Sequence, residues 1–526
     1  MRDFQSPGRS PVISINGICA TSHPLASRVA IRILEDGGNA VDAAIAAAVL
    51  LGLCEPQMSG IGGDCFALVK PAGQDGIISL NGSGRAPKAL DADKLRAAGL
   101  KAIDPHSPEA VTIPGAIEGF CRLSRDWGRL GLSTSLAPAI YYARSGIPVS
   151  QRTAKDWATH QAILQGAGRN HYLLNGQAPV EGQVFHQPKQ ADVLERIALD
   201  GPSAFYEGEI AQDMVSSLQA AGGIHTLDDF AAMESYYSDP ISGSYRGVDL
   251  IEQPPNSQGV TAILMANILS HFDLADLDPF GVERTHLETE AAKLAHDAQR
   301  RFVADADYVE HLDHMLNFGT AEALANLIDP RQAMESPANL ADPLHPETVC
   351  LSVMDKDLMA VSLIYSISGD FGSGICSDEF GVLFQNRGAY FSLEPGHPNE
   401  AAGGKRSLHT IIPAMLRRGG KVIMPYCVMG GRYQPTGHVR VMSNMLDFGM
   451  DPQAAIDGPR AFANGGVLGL ERGYDASVRQ ALQDMGHNVI TPPMPYGGAQ
   501  ATLIDYENGT FVGASDARKD GLALGF

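Results

Sequence analysis

Thr348 stands at a junction in the chain. Residues 334–347 read MESPANLADPLHPE, proline-rich and polar, with the composition of an exposed linker, and Val349 and Cys350 then open an apolar, β-branched run. A linker that runs straight into a threonine at the head of a strand is the arrangement of a chain that cuts itself and exposes a new N-terminus. The freed α-amine, titrating near pH 8, serves as base toward the threonine's own hydroxyl, so the nucleophile needs no separate histidine. On spacing alone the same residue also reads as an ordinary strand threonine, because threonine is common in strands.

Other chemistry-bearing patterns are weaker. SGIGGD, from Ser59 to Asp64, is glycine-rich, but neither GxGxxG nor GxxxxGK[ST] is present, so close backbone packing accounts for it better than a phosphate cradle does. His345, His397, His409 and His438 are scattered and show no HExxH or other ligand spacing. Neither a catalytic metal nor a cofactor is expected.

The elements that must position Thr348 are legible in outline. Residues 24–36 have helical spacing and stop at Gly37-Gly38, and Asn39 can cap an alanine-rich helix that ends at Glu55-Pro56. β-like runs follow at 66–69 and 77–80, and mainly helical material then extends to about residue 330, including a capping box at Thr226 and a long charged helix over 283–304. After the linker, strands are expected at 350–354, 360–367, 381–385, 422–428, 501–504 and 511–514. Helices first and strands later suggest a layered α+β fold.

Composition bounds the function classes. A formal charge of −21 repels phosphate backbones and anionic membrane surfaces, so neither nucleic acid nor membrane is expected as a partner. The most apolar stretch, residues 40–53, is shorter than the roughly 20 residues of a membrane span and carries Asp42. Seven cysteines without CxxC spacing fit a reducing compartment, and the N-terminus lacks the apolar core of a secretory signal, so the expectation is cytoplasmic.

A series of ordered motifs spans nearly the whole chain: SHPLAS from Ser22, GGNAVDAA from Gly37, EPQMSGIGGD from Glu55, VTIPGAIEGF from Val111, PPNSQG from Pro254, FGSGI from Phe371, GKRSLHTIIP from Gly404, MGGRYQPTGHV from Met429 and ASDARKDG from Ala514. In these the chain resembles the gamma-glutamyltranspeptidase family of N-terminal-nucleophile hydrolases. The family's nucleophile opens a T-x-x-x-S-V-x-D segment, which Thr348, Ser352, Val353 and Asp355 fit. The resemblance implies a four-layer αββα sandwich and cleavage between Glu347 and Thr348. Residues 1–347 would form a large fragment and 348–526 a small one, interleaved in one domain and compatible with a homodimer. It also implies a second hydroxyl at Ser366 and an oxyanion-stabilising pair at Gly430 and Gly431.

The family pattern breaks where substrate is recognised. The D-x-R-E-x-A-P loop is NGSGRAP here, which moves its arginine two positions to Arg85. In the N-N-Q-x-D-D-F segment Arg387 replaces the glutamine and Tyr390 the acid that binds the substrate's α-ammonium. Ser368 replaces an asparagine, and His409 and Thr410 replace paired serines. Removing a carboxylate and adding a guanidinium turns a zwitterion pocket into one suited to an anion without an ammonium. The short 391–404 connection suggests a small substrate in a differently covered pocket, and the GSGRAP, QNRG and GKR-x-x-HT-x-x-P combination resembles the oxamate-hydrolysing branch of the family, of uric acid and allantoin catabolism. The expected substrate is a small carboxylate-bearing amide, held by Arg85, Arg387, Ser368, Tyr390, His409 or Thr410. The alternatives are a gamma-glutamyl or glutaryl-type hydrolase or transpeptidase, and an unprocessed scaffold.

Overall fold

The computed structural model describes residues 5, 8–335 and 348–526. Local sequence sets the first elements as expected. The helix Pro24–Glu35 has proline at its first position and the His23 ring accepting from Leu25 N–H. In the next helix, Ala40–Cys54, Asn39 accepts from the amides of Val41 and Asp42 while the Asp42 carboxylate accepts from Asn39. Every residue of that helix is buried, and its run of alanines lets neighbours approach from all sides. Asp355 accepts from Ala40 N–H and so ties the helix start to the strand that Thr348 precedes.

Two seven-stranded sheets lie face to face. Sheet I runs Val12–Ser14, Thr510–Ser515, Gly498–Asp505, Lys421–Met429, Pro413–Arg418, Val248–Glu252 and Ile241–Tyr245. Sheet II runs Leu522–Gly525, Gly17–Thr21, Val349–Asp355, Ala360–Ser366, Asp64–Lys70, Ile78–Gly82 and Tyr236–Ser238. All pairings within both are antiparallel. Between them lies an apolar layer that includes Ile18, Leu68, Met354, Ile251 and Met415. It is pinned by hydroxyls that reach across the gap: Ser352 donates to Pro425 O at 2.7 Å and Ser362 to Tyr426 O at 2.8 Å.

Helices cover both outer faces. Pro24–Glu35, Ala40–Cys54, Ala116–Trp127 and Leu132–Ser145 share a core with sheet II, and Gly259–Leu269, Val282–Phe302 and Gln434–Leu446 share one with sheet I. The fold is therefore an α+β, four-layer αββα sandwich. Both sheets interleave strands from either side of residue 348.

Two expectations fail. The stretch read as mainly helical contains Tyr236–Ser238, Ile241–Tyr245 and Val248–Glu252, which extend the edges of both sheets. Residues 381–385 are not a strand. Gly381 has φ +69°, and the amides there turn back locally, Val382 N–H to Ser377 Oγ and Phe384 N–H to Ile375 O, leaving only an isolated bridge between Cys376 and Leu383. The run is apolar because it is buried, not because it pairs along its length. All seven cysteines are buried and unbridged, and among the described residues no helix is long and apolar enough to cross a membrane.

Candidate active site

The strand Val349–Asp355 sits between Gly17–Thr21 and Ala360–Ser366, paired so that Val349 faces Tyr365. One residue earlier, Thr348 comes level with Ser366, and it is buried. Ser366 is in turn registered with Asp64 on the next strand. The glycine-rich turn makes this approach feasible, since a Cβ on Gly63 would lie 2.3 Å from Ser366 O and one on Gly62 2.1 Å from Leu383 O. Close backbone packing is thus the reason for SGIGGD.

Ser366 Oγ accepts from Ser368 N–H at 2.8 Å. Ser368 is held at φ +81°, a conformation that L side chains rarely adopt, and its own buried hydroxyl has no hydrogen-bond partner. Asn386 fixes the turn by accepting from Gly369 N–H and donating to Gly372 O.

Across the gap between the sheets, Ser352 meets Pro425, and Cys350 and Cys427 share a buried cluster with Met429. Two residues further along each strand, Thr348 comes level with Met429 and the turn after it. That turn is Gly430-Gly431, with φ of +113° and +53°, leading into the helix Gln434–Leu446. A Cβ on Gly430 would lie 2.7 Å from Gly497 Cα, so glycine is required both for conformation and for space. The Gln258 amide donates to Gly431 O and to Thr410 O, locking this turn to the segment that carries Thr410.

A charged cluster lies beside Ser366. The Arg387 side chain is fully buried, donates from Nη1 to Thr410 Oγ1 at 2.8 Å, and lies 5.6 Å from the centre of the Tyr390 ring. Its Nε and Nη2 have no partner. Burial pulls the Arg387 pKa below its ordinary value, opposed by Tyr390 and Asp64. Asp64 accepts from Gly84 and Gly115 N–H on one oxygen and lies 3.1 Å from His409 Nε2 with the other. Burial pushes its carboxyl up to about 7, against the pull of Arg387 and several hydrogen bonds. Burial and Arg387 hold His409 well below its ordinary value, so its ring is neutral. Because His409 Nδ1 accepts from Ile411 N–H, the proton sits on Nε2 and is donated to Asp64.

The structure therefore gathers Ser366, Ser368, Arg387, Tyr390, His409 and Thr410 around the head of the Thr348 strand. The Arg85 side chain bonds outside this group. That guanidinium bonds to Gly404 O and, at 3.4 Å, to Asp305, and it lines a cleft of about 330 Å³ with Lys88, Glu234, Tyr236 and Arg406. Glu347 and His345 lie outside the described residues. Sequence reasoning missed Asp64 and Gln258 as organising groups, although both fall inside quoted motifs. Of the remaining histidines, His438 bonds to Glu252 and His397 to Arg300 O, both structural.

Residues 26–526 match the sequence model of the gamma-glutamyltranspeptidase family. Among individual proteins, the chain is 36% identical to the glutathione hydrolase-like YwrD proenzyme of Bacillus subtilis (strain 168), over 98% of this chain and 99% of that relative. It is 31% identical to the oxamate amidohydrolase proenzyme of Klebsiella pneumoniae subsp. pneumoniae, again over 98% and 99% of the two chains. The crystal structure of cephalosporin acylase from Bacillus halodurans superposes with a TM-score of 0.93 at 36% identity, covering 100% of this chain and 99% of that one. The chain belongs to the gamma-glutamyltranspeptidase family and is an amide hydrolase of the N-terminal-nucleophile type.

Proposed function

We propose that the protein cuts itself between Glu347 and Thr348 and then hydrolyses a small carboxylate-bearing amide, with oxamate as the preferred substrate. In maturation the Thr348 hydroxyl attacks the carbonyl before it, and the resulting ester is hydrolysed to free the amine. The fragments are then 1–347 and 348–526.

In turnover the Thr348 amine takes the hydroxyl proton as Oγ attacks the amide carbon. The C–N bond breaks and the same proton leaves with ammonia, giving an acyl-threonine ester. Water hydrolyses that ester and releases oxalate. The Gly430 and Gly431 amides face the developing oxyanion, a contribution on the order of 3 kcal/mol per donor. Ser366, itself braced by Ser368 N–H, holds the threonine in its attacking rotamer.

The observation that carries the substrate class is Arg387, a fully buried guanidinium with two unpaired nitrogens next to Thr410. Such a group calls for an anion, and a carboxylate matches its planar fork. Asp64 does not restore an ammonium site, because its oxygens already accept from Gly84, Gly115 and His409. Arg85 has no part in this assignment.

A second reading, hydrolysis of gamma-glutamyl or glutaryl amides, draws support from the names of the glutathione hydrolase-like relative and the cephalosporin acylase. Ammonia release from oxamate, run beside anilide release from γ-glutamyl and glutaryl anilides, separates the two. Turnover of oxamate is expected, and strong activity on an anilide alone would overturn the preference. On a denaturing gel the chain should give two fragments. A persistent single band at 55.8 kDa in active protein would remove Thr348 as nucleophile.

A further inference from the structure

On the helix Val282–Phe302, His286 and Glu290 are four residues apart and so share a face. His487, just beyond the helix Ala476–Asp484, packs against both. All three are buried, and one donor atom from each lies within 4.8 Å of the others. We propose that they form a binding site for a single borderline divalent transition ion, Zn²⁺ being the natural occupant.

The orientation of the rings supports this. His286 Nε2 is 2.8 Å from Asp329 O, an acceptor only, so Nε2 carries the proton and Nδ1 offers its lone pair to the interior. A backbone carbonyl that fixes the tautomer of a ligating imidazole is the usual outer support of a zinc site. His286 Nδ1 faces His487 Nε2 at 2.8 Å, and His487 Nε2 is 4.0 Å from Glu290 Oε1. Around Zn²⁺, bonds of about 2.0–2.1 Å at tetrahedral angles separate ligand atoms by about 3.3 Å. One gap must therefore open slightly and the other close slightly, within the reach of side-chain rotation. The proton that His487 now donates to His286 moves from Nε2 to Nδ1, so the ring need not lose it.

Lys293 opposes the ion. Its Nζ donates to Glu290 Oε1 at 2.7 Å and to Met334 O at 3.0 Å. It also lines a cleft of about 350 Å³ with His487 and the exposed Glu335, so it can swing outward as the ion enters. Water or the Glu335 carboxylate from this cleft supplies the fourth ligand. Two imidazoles and a carboxylate suit Zn²⁺ and its neighbours, not Mg²⁺ or Ca²⁺. The site shares no residue with the Thr348 cluster. It joins the helix, which precedes residue 348, to a loop that follows it, and therefore acts as a cross-fragment clamp.

The test is titration of the full-length, chelator-stripped protein with Co²⁺, read by its visible d–d absorption and by displacement with Zn²⁺, with thermal melting alongside. One equivalent should bind with a tetrahedral spectrum and raise Tm. His487→Asn and Glu290→Gln, each checked for native circular dichroism, should weaken binding by at least about tenfold, and Lys293→Gln should tighten it. Absence of stoichiometric binding by folded wild-type protein overturns the proposal, and so does binding unchanged in both ligand variants. Repeating the titration with Thr348→Ala protein separates this outcome from the fate of the nucleophile, because none of the ligands depends on cleavage.

Discussion

Two arginines, Arg85 and Arg387, stand in the altered family motifs, the first displaced and the second introduced, and they occupy opposite physical situations. Arg85 is 45% exposed along its side chain, bonded to a carbonyl and near Asp305, with water available for whatever remains. Arg387 is 1% exposed, with one nitrogen on a threonine hydroxyl and two on nothing. A solvated, partnered guanidinium gains little from a further anion, since solvent screens the attraction. A buried, half-satisfied one carries a standing desolvation penalty that an arriving carboxylate relieves. The same residue type in the same chain is thus a surface brace in one place and, in the function proposed above, an anion receptor in the other.

The strongest challenge to this contrast is Arg387→Ala. Its kcat/KM on oxamate should fall by about 2–5 kcal/mol, roughly 30-fold to several thousand-fold, with native circular dichroism retained. A loss below threefold would remove Arg387 from substrate binding. Next comes the acid beside it. Asp64 titrates at about 7 in the folded protein, above its unfolded value, so the native state holds its proton over a window in which the unfolded chain has released it. Stability should therefore fall as pH rises from about 4 toward 7, by on the order of 4 kcal/mol from this group, and Asp64→Asn should flatten that slope in chemical denaturation. Glu55, pushed up to about 8 by burial despite a hydrogen bond from Ser22, contributes in the same direction, so the difference between wild type and variant is the quantity to measure.

Arg387→Lys sharpens the contrast further. It keeps a charge but loses the planar fork, and activity should drop about tenfold, with KM rising more than kcat falls. The smallest effect belongs to Arg85→Ala, for which a change below about 1 kcal/mol is expected in either stability or kcat/KM. An Arg85 loss matching that of Arg387 would invert the comparison.

What could be read from the chain alone divides along similar lines. The strand beginning after Thr348, its neighbour at 360–366 and the helices at 24–35 and 40–54 were legible because their signals are local: β-branched runs, caps and glycine stops. Ile241–Tyr245 escaped because three of the five residues of ISGSY are glycine or serine and the strand sits at a sheet edge, with little apolar pattern to detect. Residues 381–385 misled for the opposite reason, being apolar through burial in an irregular loop. Family motifs brought Arg387, His409 and Thr410 forward one at a time. That His409 leans on Asp64, 345 residues away, is a fact of the assembled sheets, and no local signal carries it. The same holds for Gln258, whose amide bridges Thr410 and Gly431.

The alternation of early and late strands in both sheets has a consequence for a chain severed ahead of Thr348. Val349–Asp355 is hydrogen-bonded on one side to Gly17–Thr21, and Ala360–Ser366 is bonded on its far side to Asp64–Lys70. The two pieces are therefore woven through each other, and parting them means tearing several ladders at once. Cutting the chain removes only the effective concentration that the tether supplied, a term that matters during assembly and hardly at all afterwards. For the cleavage proposed at Thr348, folding must come first and severance second. Halves expressed separately should behave as strangers that have missed their one chance to interlace.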